Sequence, residues 1–223
     1  MLSLRPTNER LFMRSIISSD RLEEIKHEVI YMFYETGTHS LPINGFEIAQ
    51  KLYYVLRPYS SLSWNDYVAA SGFDPDGYSR VEFNPLSGLY EYIIYYNDQG
   101  NPRRINWTIL HEIGHCYLGH HDNPDASISD IEEAEANFFA KYAIAPPVLV
   151  HQLDDVTPFA IYRHFNTTPQ ESSYVYDYYE KWLNHGPFEY TDYEKKTLEL
   201  FKYARFELNM PAVTIGSAAP ELG

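Results

Sequence analysis

The feature that most constrains the fold is the segment RINWTILHEIGHCYLGHH, residues 104 to 121. It holds two histidines four residues apart, His111 and His115, with Glu112 directly after the first. An α-helix turns about 100° per residue, so side chains four apart project from one face and can contact one small object. The same segment offers an apolar stripe for burial, formed by Ile105, Ile109, Ile113 and Leu118. It therefore predicts an amphipathic helix that presents two imidazoles side by side.

This spacing is the HExxH pattern, in which two histidines bind Zn²⁺ and the glutamate acts as a general base toward water. Three fixed positions also occur by chance on helices that merely carry a charged surface. Two observations favour the metal site. Asn101 and Pro102 form an N-cap and first-turn pair. Gly114, which costs about 1 kcal/mol inside a helix, indicates close approach of backbone or ligand beside His115.

A hydrolytic zinc site needs a third protein ligand and one open position. The first candidate is His121, which lies ten residues after His111 as in the HExxHxxGxxH pattern. That pattern requires glycine at position 118, where this chain has leucine. We therefore interpret His120 and His121 as solvated residues at a helix end, where positive charge is favoured.

The second candidate for the third ligand is Glu133. Ser129 and Glu132 form a capping box that opens a helix, and Pro146-Pro147 ends it. Small residues at Ala136 and Ala140 allow this helix to pack closely on the first, with Glu133 pointing inward.

The neighbouring residues of this second helix have simpler interpretations. Glu132 and Glu135 are taken as first-turn acids that the helix dipole attracts. Asn137 lies one turn after Glu133 and is a candidate for orienting its carboxylate.

Taken together, these motifs resemble the ImmA/IrrE family of zinc metallopeptidases. HEIGH is followed about 20 residues later by EAEANFFA (133 to 140) and a proline at 146. The likeness extends upstream through DGYS (76 to 79) and YIIYYND (92 to 98), and downstream through AIYRHFNTTPQESSYVYDYYEKWL (160 to 183), so it covers residues 20 to 185.

The resemblance implies a role for each matching residue. His111, His115 and Glu133 become ligands of one Zn²⁺ per chain, and Glu112 becomes the general base of a gluzincin-type endopeptidase. Members of the family cleave or antagonise helix-turn-helix transcriptional repressors, so such a basic protein is the implied partner. The alternative is a non-catalytic module that contains structural zinc and antagonises a repressor by binding. A structural zinc would not need Glu112, which favours the enzyme.

The amino-acid composition limits the cellular compartments and the classes of partner that suit this protein. The formal charge of −14, from 17 basic and 31 acidic residues, disfavours direct nucleic acid binding and favours basic partners. The one cysteine, Cys116, excludes an internal disulfide and is interpreted as a small buried residue. No signal peptide or run of 18 apolar residues is apparent, which predicts a cytoplasmic protein without membrane contact.

The predicted fold class is α+β, with a small antiparallel sheet packed on zincin-like active-site helices and a helical C-terminal region. Strands are expected at 52 to 59, 78 to 83 and 89 to 97, the last of which could pair with substrate as an added strand. The predicted divisions are an N-terminal extension (1–19), a metallopeptidase domain (20–150), a helical region (151–209) and a flexible tail (210–223).

The helices around HFNTTPQESSY (164 to 174) could be mistaken for a DNA-reading helix-turn-helix. The second of them opens with Gln170, Glu171, Ser172 and Ser173, and no Arg or Lys stands there to contact phosphate or guanine. We therefore do not assign DNA binding to this segment.

Overall fold

A computed structural model describes residues 17–122, 127–185 and 189–204. The helices are α1 (Ser19–Thr36), α2 (Gly45–Lys51), α3 (Trp64–Phe73), α4 (Pro102–Tyr117), α5 (Asp130–Ile144), α6 (Pro147–Val150), α7 (Pro158–His164), α8 (Pro169–His185) and α9 (Asp192–Leu200). The strands are β1 (Val55–Pro58), β2 (Gly77–Asn84) and β3 (Leu89–Tyr96).

The helix ends follow the capping chemistry of the sequence. Asn101 accepts a hydrogen bond from the backbone of Arg103 at the start of α4, and α5 opens with the predicted capping box. Gly37 ends α1 in the left-handed conformation, with φ of 61°. Ser18 caps the start of α1, and its side chain accepts a hydrogen bond from the backbone N–H of Arg21.

The α+β class is confirmed, and the sheet is mixed rather than wholly antiparallel. The strand order is β1-β3-β2. β2 and β3 form the expected antiparallel hairpin, whereas β1 lies parallel to β3 with Val55 opposite Ile93. The long connection from β1 through α3 and β2 allows this parallel pairing, which two adjacent hairpin strands could not adopt.

The sheet has a helix on each face. On one face, Ile94 joins the main core together with Ile109 and Leu110 of α4. On the other, Ile93 and Tyr95 pack with Tyr59 and Ala70, beneath α3. Alternation along β2 consequently directs every second side chain toward the metal-binding helix.

The main core continues into the C-terminal helices. Buried residues of one cluster run from Ile25 in α1 to Ala204, and Tyr193 of α9 donates a hydrogen bond to Glu23 of α1.

The predicted domain division at residue 150 stays a prediction. The proposed tail at 210–223 and most of the extension at 1–19 lie outside the described residues. Within the described part of the chain, no helix is both long and apolar enough to cross a membrane.

Gly77 permits the sheet to approach α4 closely, and we expect Gly77→Ala to destabilise the protein. A Cβ at this position would lie 2.7 Å from Thr108 Cγ2 and 2.7 Å from the Tyr95 carbonyl oxygen. Overpacking of this kind costs about 1 to 3 kcal/mol, which chemical denaturation would measure. Gly72→Ala is the matched control, because a Cβ there meets nothing within 4 Å. The control should be neutral or stabilising by up to about 1 kcal/mol, and equal losses in both variants would contradict this account.

Candidate metal centre

Two packed helices bring together the three predicted ligands. His111 and His115 lie on one face of α4, and Glu133 lies in the first turn of α5. The helices approach closely at Gly114, where an added Cβ would be 3.2 Å from Phe139 and 3.3 Å from the Cα of Ala136. Gly114 therefore serves the close backbone approach that its position inside the helix indicates.

The donor atoms are spaced as one small cation requires. His111 Nε2 and His115 Nε2 are 3.1 Å apart. Glu133 Oε2 is 3.5 Å from the first, and Glu133 Oε1 is 3.6 Å from the second. A tetrahedral Zn²⁺ site with bonds of 2.0 to 2.1 Å has edges of about 3.3 Å. The three residues thus form a group that could bind a metal ion, with all ligand atoms within 4.8 Å of one another.

The group is buried on one side and open on the other. The side chain of His115 is 3% exposed, whereas that of Glu133 is 51% exposed. Three donors with an open side leave a position for water or substrate, as in catalytic rather than structural zinc sites.

The electrostatics of the three side chains also suit a cation. Burial lowers the pKa of His115 to about 2, so its imidazole is neutral. For His111, burial acts to lower the pKa, but the hydrogen bond to Glu133 and nearby acidic charge outweigh it and the net shift is upward. The hydrogen bond with His111 lowers the pKa of Glu133, which is therefore ionised. One carboxylate and two imidazoles form a common ligand set for zinc.

Glu112 lies beside this group. Its Oε1 is 3.9 Å from His111 Nε2, and its Oε2 accepts a hydrogen bond of 2.7 Å from the Ser79 hydroxyl. Burial raises the pKa of Glu112, as expected for a carboxylate surrounded by protein. Ser79 comes from β2, and no local pattern around Glu112 could have identified it.

His121, the competing third ligand, is directed elsewhere. Its Nε2 lies 2.9 Å from the Ser79 hydroxyl oxygen, and it is not part of the metal group found among the described residues. The expectation that His120 and His121 are solvated is wrong. His121 is partly buried, and the side chain of His120 is only 4% exposed.

The sequence-based interpretation of Glu135 also fails. Glu135 is buried, it receives two hydrogen bonds from Arg21 at 3.0 and 2.7 Å, and it lies 3.2 Å from His120 Nε2. The interpretation of Glu135 as a first-turn acid attracted by the helix dipole is therefore wrong, since the acids of the first turn are Asp130, Glu132 and Glu133, whereas Glu132 does cap its helix. Cys116 is buried and free, as expected.

Comparison with protein families gives a match that covers both helices of the metal group. A family model matches residues 67–153, a range that includes α4 and α5. The matching family is the IrrE N-terminal-like domain, Peptidase_M78, so the resemblance to the ImmA/IrrE family is confirmed for these residues. The match lies inside residues 20 to 185, over which the sequence motifs indicate the likeness.

The other two comparisons add no relative. The chain has no significant match among the curated proteins or among the solved structures.

Proposed function

We propose that this protein is a zinc-dependent endopeptidase in which His111, His115 and Glu133 hold one Zn²⁺ and Glu112 is the general base. The family match supports a peptidase, and the donor spacing supports a metal site. The preference for zinc rests on the ligand set, since two imidazoles and a carboxylate with donor atoms 3.1 to 3.6 Å apart suit that ion.

The observation that carries the catalytic assignment is the position of Glu112. Its Oε1 is close to the donor group without belonging to it, at 3.9 Å from His111 Nε2. The Ser79 hydroxyl occupies the other oxygen, Oε2. Oε1 is thus free to accept a proton from a water molecule held at the metal group, which is the role of a general base.

The chain's own residues account for the proton transfers of peptide hydrolysis. Bound Zn²⁺ supplies Lewis acidity, which lowers the pKa of water and polarises the scissile carbonyl. Glu112 accepts a proton as the water oxygen adds to the carbonyl carbon. When the C–N bond breaks, Glu112 returns that proton to the leaving amine. Ser79 holds the carboxylate in place during both transfers through its hydrogen bond to Oε2.

The strand that could extend to a substrate is β2, not β3. The segment LYEYIIYYN forms β3, which is the central strand with neighbours on both sides, so its edges are already paired. β2 is an edge strand that passes the site at Ser79. An extended peptide adding to β2 would lie next to Glu112, which is the usual mode of β-strand addition.

For the substrate, we propose a basic helix-turn-helix repressor in the cytoplasm. The support is the family match together with the formal charge of −14, which suits a basic partner. The second candidate function is a non-catalytic module that antagonises a repressor by binding. The open side of the metal group at Glu133 and the position of Glu112 favour the enzyme.

Capture of the natural partner tests the substrate assignment. We expect the Glu112→Gln chain to retain a small DNA-binding repressor from lysate of the source cell, identified by mass spectrometry, and the wild type to cut it at one or a few bonds. Binding should weaken with added salt, because charges are screened beyond about 10 Å at 0.1 M. Casein and short generic peptides are the control substrates and should be poorly digested. Efficient casein digestion, or capture of unfolded proteins alone, would contradict the assignment.

A further inference from the structure

Behind the metal group, a network of hydrogen-bonded side chains connects His115 to helix α1. His115 Nδ1 lies 3.0 Å from His120 Nδ1, and His120 Nε2 lies 3.2 Å from Glu135 Oε2. Arg21 closes the network with hydrogen bonds to both carboxylate oxygens of Glu135. We refer to His120, Glu135 and Arg21 as the His120 network.

The turn after α4 explains how His120 reaches back to His115. Gly119 adopts the left-handed conformation, with φ of 77°. The backbone N–H of His120 then donates to the carbonyl of His115 at 3.0 Å, which is a helix-terminating bond of the Schellman type. This geometry folds the imidazole of His120 against the end of α4 that carries His115.

The two histidines and Glu135 are shielded from water, whereas the side chain of Arg21 is 33% exposed. The exposed fractions of the side chains are 3% for His115, 4% for His120 and 9% for Glu135. A carboxylate is rarely buried to this extent unless it is paired. Both oxygens of Glu135 are hydrogen-bonded, Oε1 to Arg21 and Oε2 to Arg21 and His120.

Donor and acceptor rules then determine the direction of each hydrogen bond. Arg21 can only donate, so both Glu135 oxygens act as acceptors, and His120 Nε2 donates to Oε2. A neutral imidazole that donates at Nε2 accepts at Nδ1, so His115 must donate from its own Nδ1. The lone pair of His115 is then on Nε2, the atom 3.1 Å from His111 Nε2 and 3.6 Å from Glu133.

We propose that the His120 network positions His115 by holding its ring in the Nδ1–H tautomer with Nε2 directed at the cation. This inference rests on the proposed metal site and deepens it. His120 and Glu135 are positioning residues, because they act through His115 and do not belong to the metal group. Partners of this kind usually contribute about 10 to 100-fold to metal affinity.

A tautomer measurement tests the network without relying on activity. Long-range ¹H–¹⁵N spectra of the metal-free protein, with the His115 signals assigned by comparison with His115→Ala, should show a proton on Nδ1 of His115. His120→Leu removes the acceptor and should give mixed tautomers together with about 10 to 100-fold weaker Zn²⁺ binding in chelator competition. His120→Asn should restore both toward wild type, since its side-chain oxygen can accept from His115 Nδ1.

Controls separate positioning from a simple contribution to packing. His121→Leu alters the neighbouring histidine, whose ring lies 6.1 Å from that of His115 but whose hydrogen bond is to Ser79. It should leave the His115 tautomer and the Zn²⁺ affinity unchanged. A proton on Nε2 of His115 in the wild type would overturn the proposal. So would an unchanged tautomer and affinity in His120→Leu, or a His120→Asn variant no better than His120→Leu. A wild type with the expected tautomer that binds no Zn²⁺ would support the network and overturn the proposed function.

Discussion

Glu112→Gln should slow cleavage of a bound partner by at least about 100-fold, the lower end of what a general base contributes, while metal content and fold persist. Glutamine keeps the size of the side chain and an oxygen that can accept from Ser79, but it cannot take a proton from water. The substitution should not reduce stability, because burial already disfavours the ionised form of Glu112. Single-turnover cleavage assays, metal analysis and thermal unfolding would measure the three effects.

The matched control for this variant is Glu132→Gln. Glu132 also lies near the site, one residue before Glu133, but its carboxylate is bonded to Ser129 in the capping box. Since glutamine also serves in a capping box, cleavage, metal content and stability should all stay near wild type. If Glu112→Gln cleaved its partner as fast as the wild type, the protease assignment would fail, and the interaction module would become the better explanation.

Local sequence patterns were sufficient to predict that His111, His115 and Glu133 lie close together. His111 and His115 are related by the period of a single helix, and the Ser129–Glu132 capping box fixes where α5 begins and therefore where Glu133 stands in its first turn. Both relationships lie within a few residues along the chain, which is the range over which helix period and capping chemistry operate.

The residues that support the site could not be predicted in this way. Ser79 is separated from Glu112 by 33 positions, and Arg21 is separated from Glu135 by 114. These contacts depend on how β2 and α1 pack against the two site helices, and no periodicity within either element encodes that packing. Glu135 and His120 were misjudged for the same reason, because an acid in the first turns of a helix and a histidine after its end look solvent-exposed until the packing partner is known.

Prediction of the sheet from the sequence was limited in a similar way. Alternation predicted the β2–β3 hairpin, since a short turn joins two adjacent strands. It could not show that β1 pairs in parallel with β3, nor that β2 rather than β3 has a free edge, because strand order depends on contacts distant in sequence. This difference matters for function, since a substrate strand can add only to an edge strand, which β3 is not.

Removal of any one proposed ligand should empty the metal centre. We expect the purified wild type to contain about one Zn²⁺ per chain and to lose it to a strong chelator, with a lower temperature of unfolding, because a ligand that binds only the native state stabilises it. His111→Ala, His115→Ala and Glu133→Ala should each abolish stoichiometric zinc, because the metal group found among the described residues consists of these three side chains.

His121→Ala is the decisive comparison for this prediction. The sequence spacing offers His121 as the third ligand, whereas the geometry of the structure offers Glu133. His121 Nε2 is engaged with Ser79 at 2.9 Å, so its loss should leave zinc content unchanged. Circular dichroism of each variant separates loss of metal from loss of fold. If Glu133→Ala retained its zinc while His121→Ala lost it, the third ligand would be His121 and the HExxHxxGxxH-like arrangement would hold despite Leu118. If all four variants retained zinc, the metal would bind elsewhere in the protein, and Glu112 would no longer stand beside it as a base.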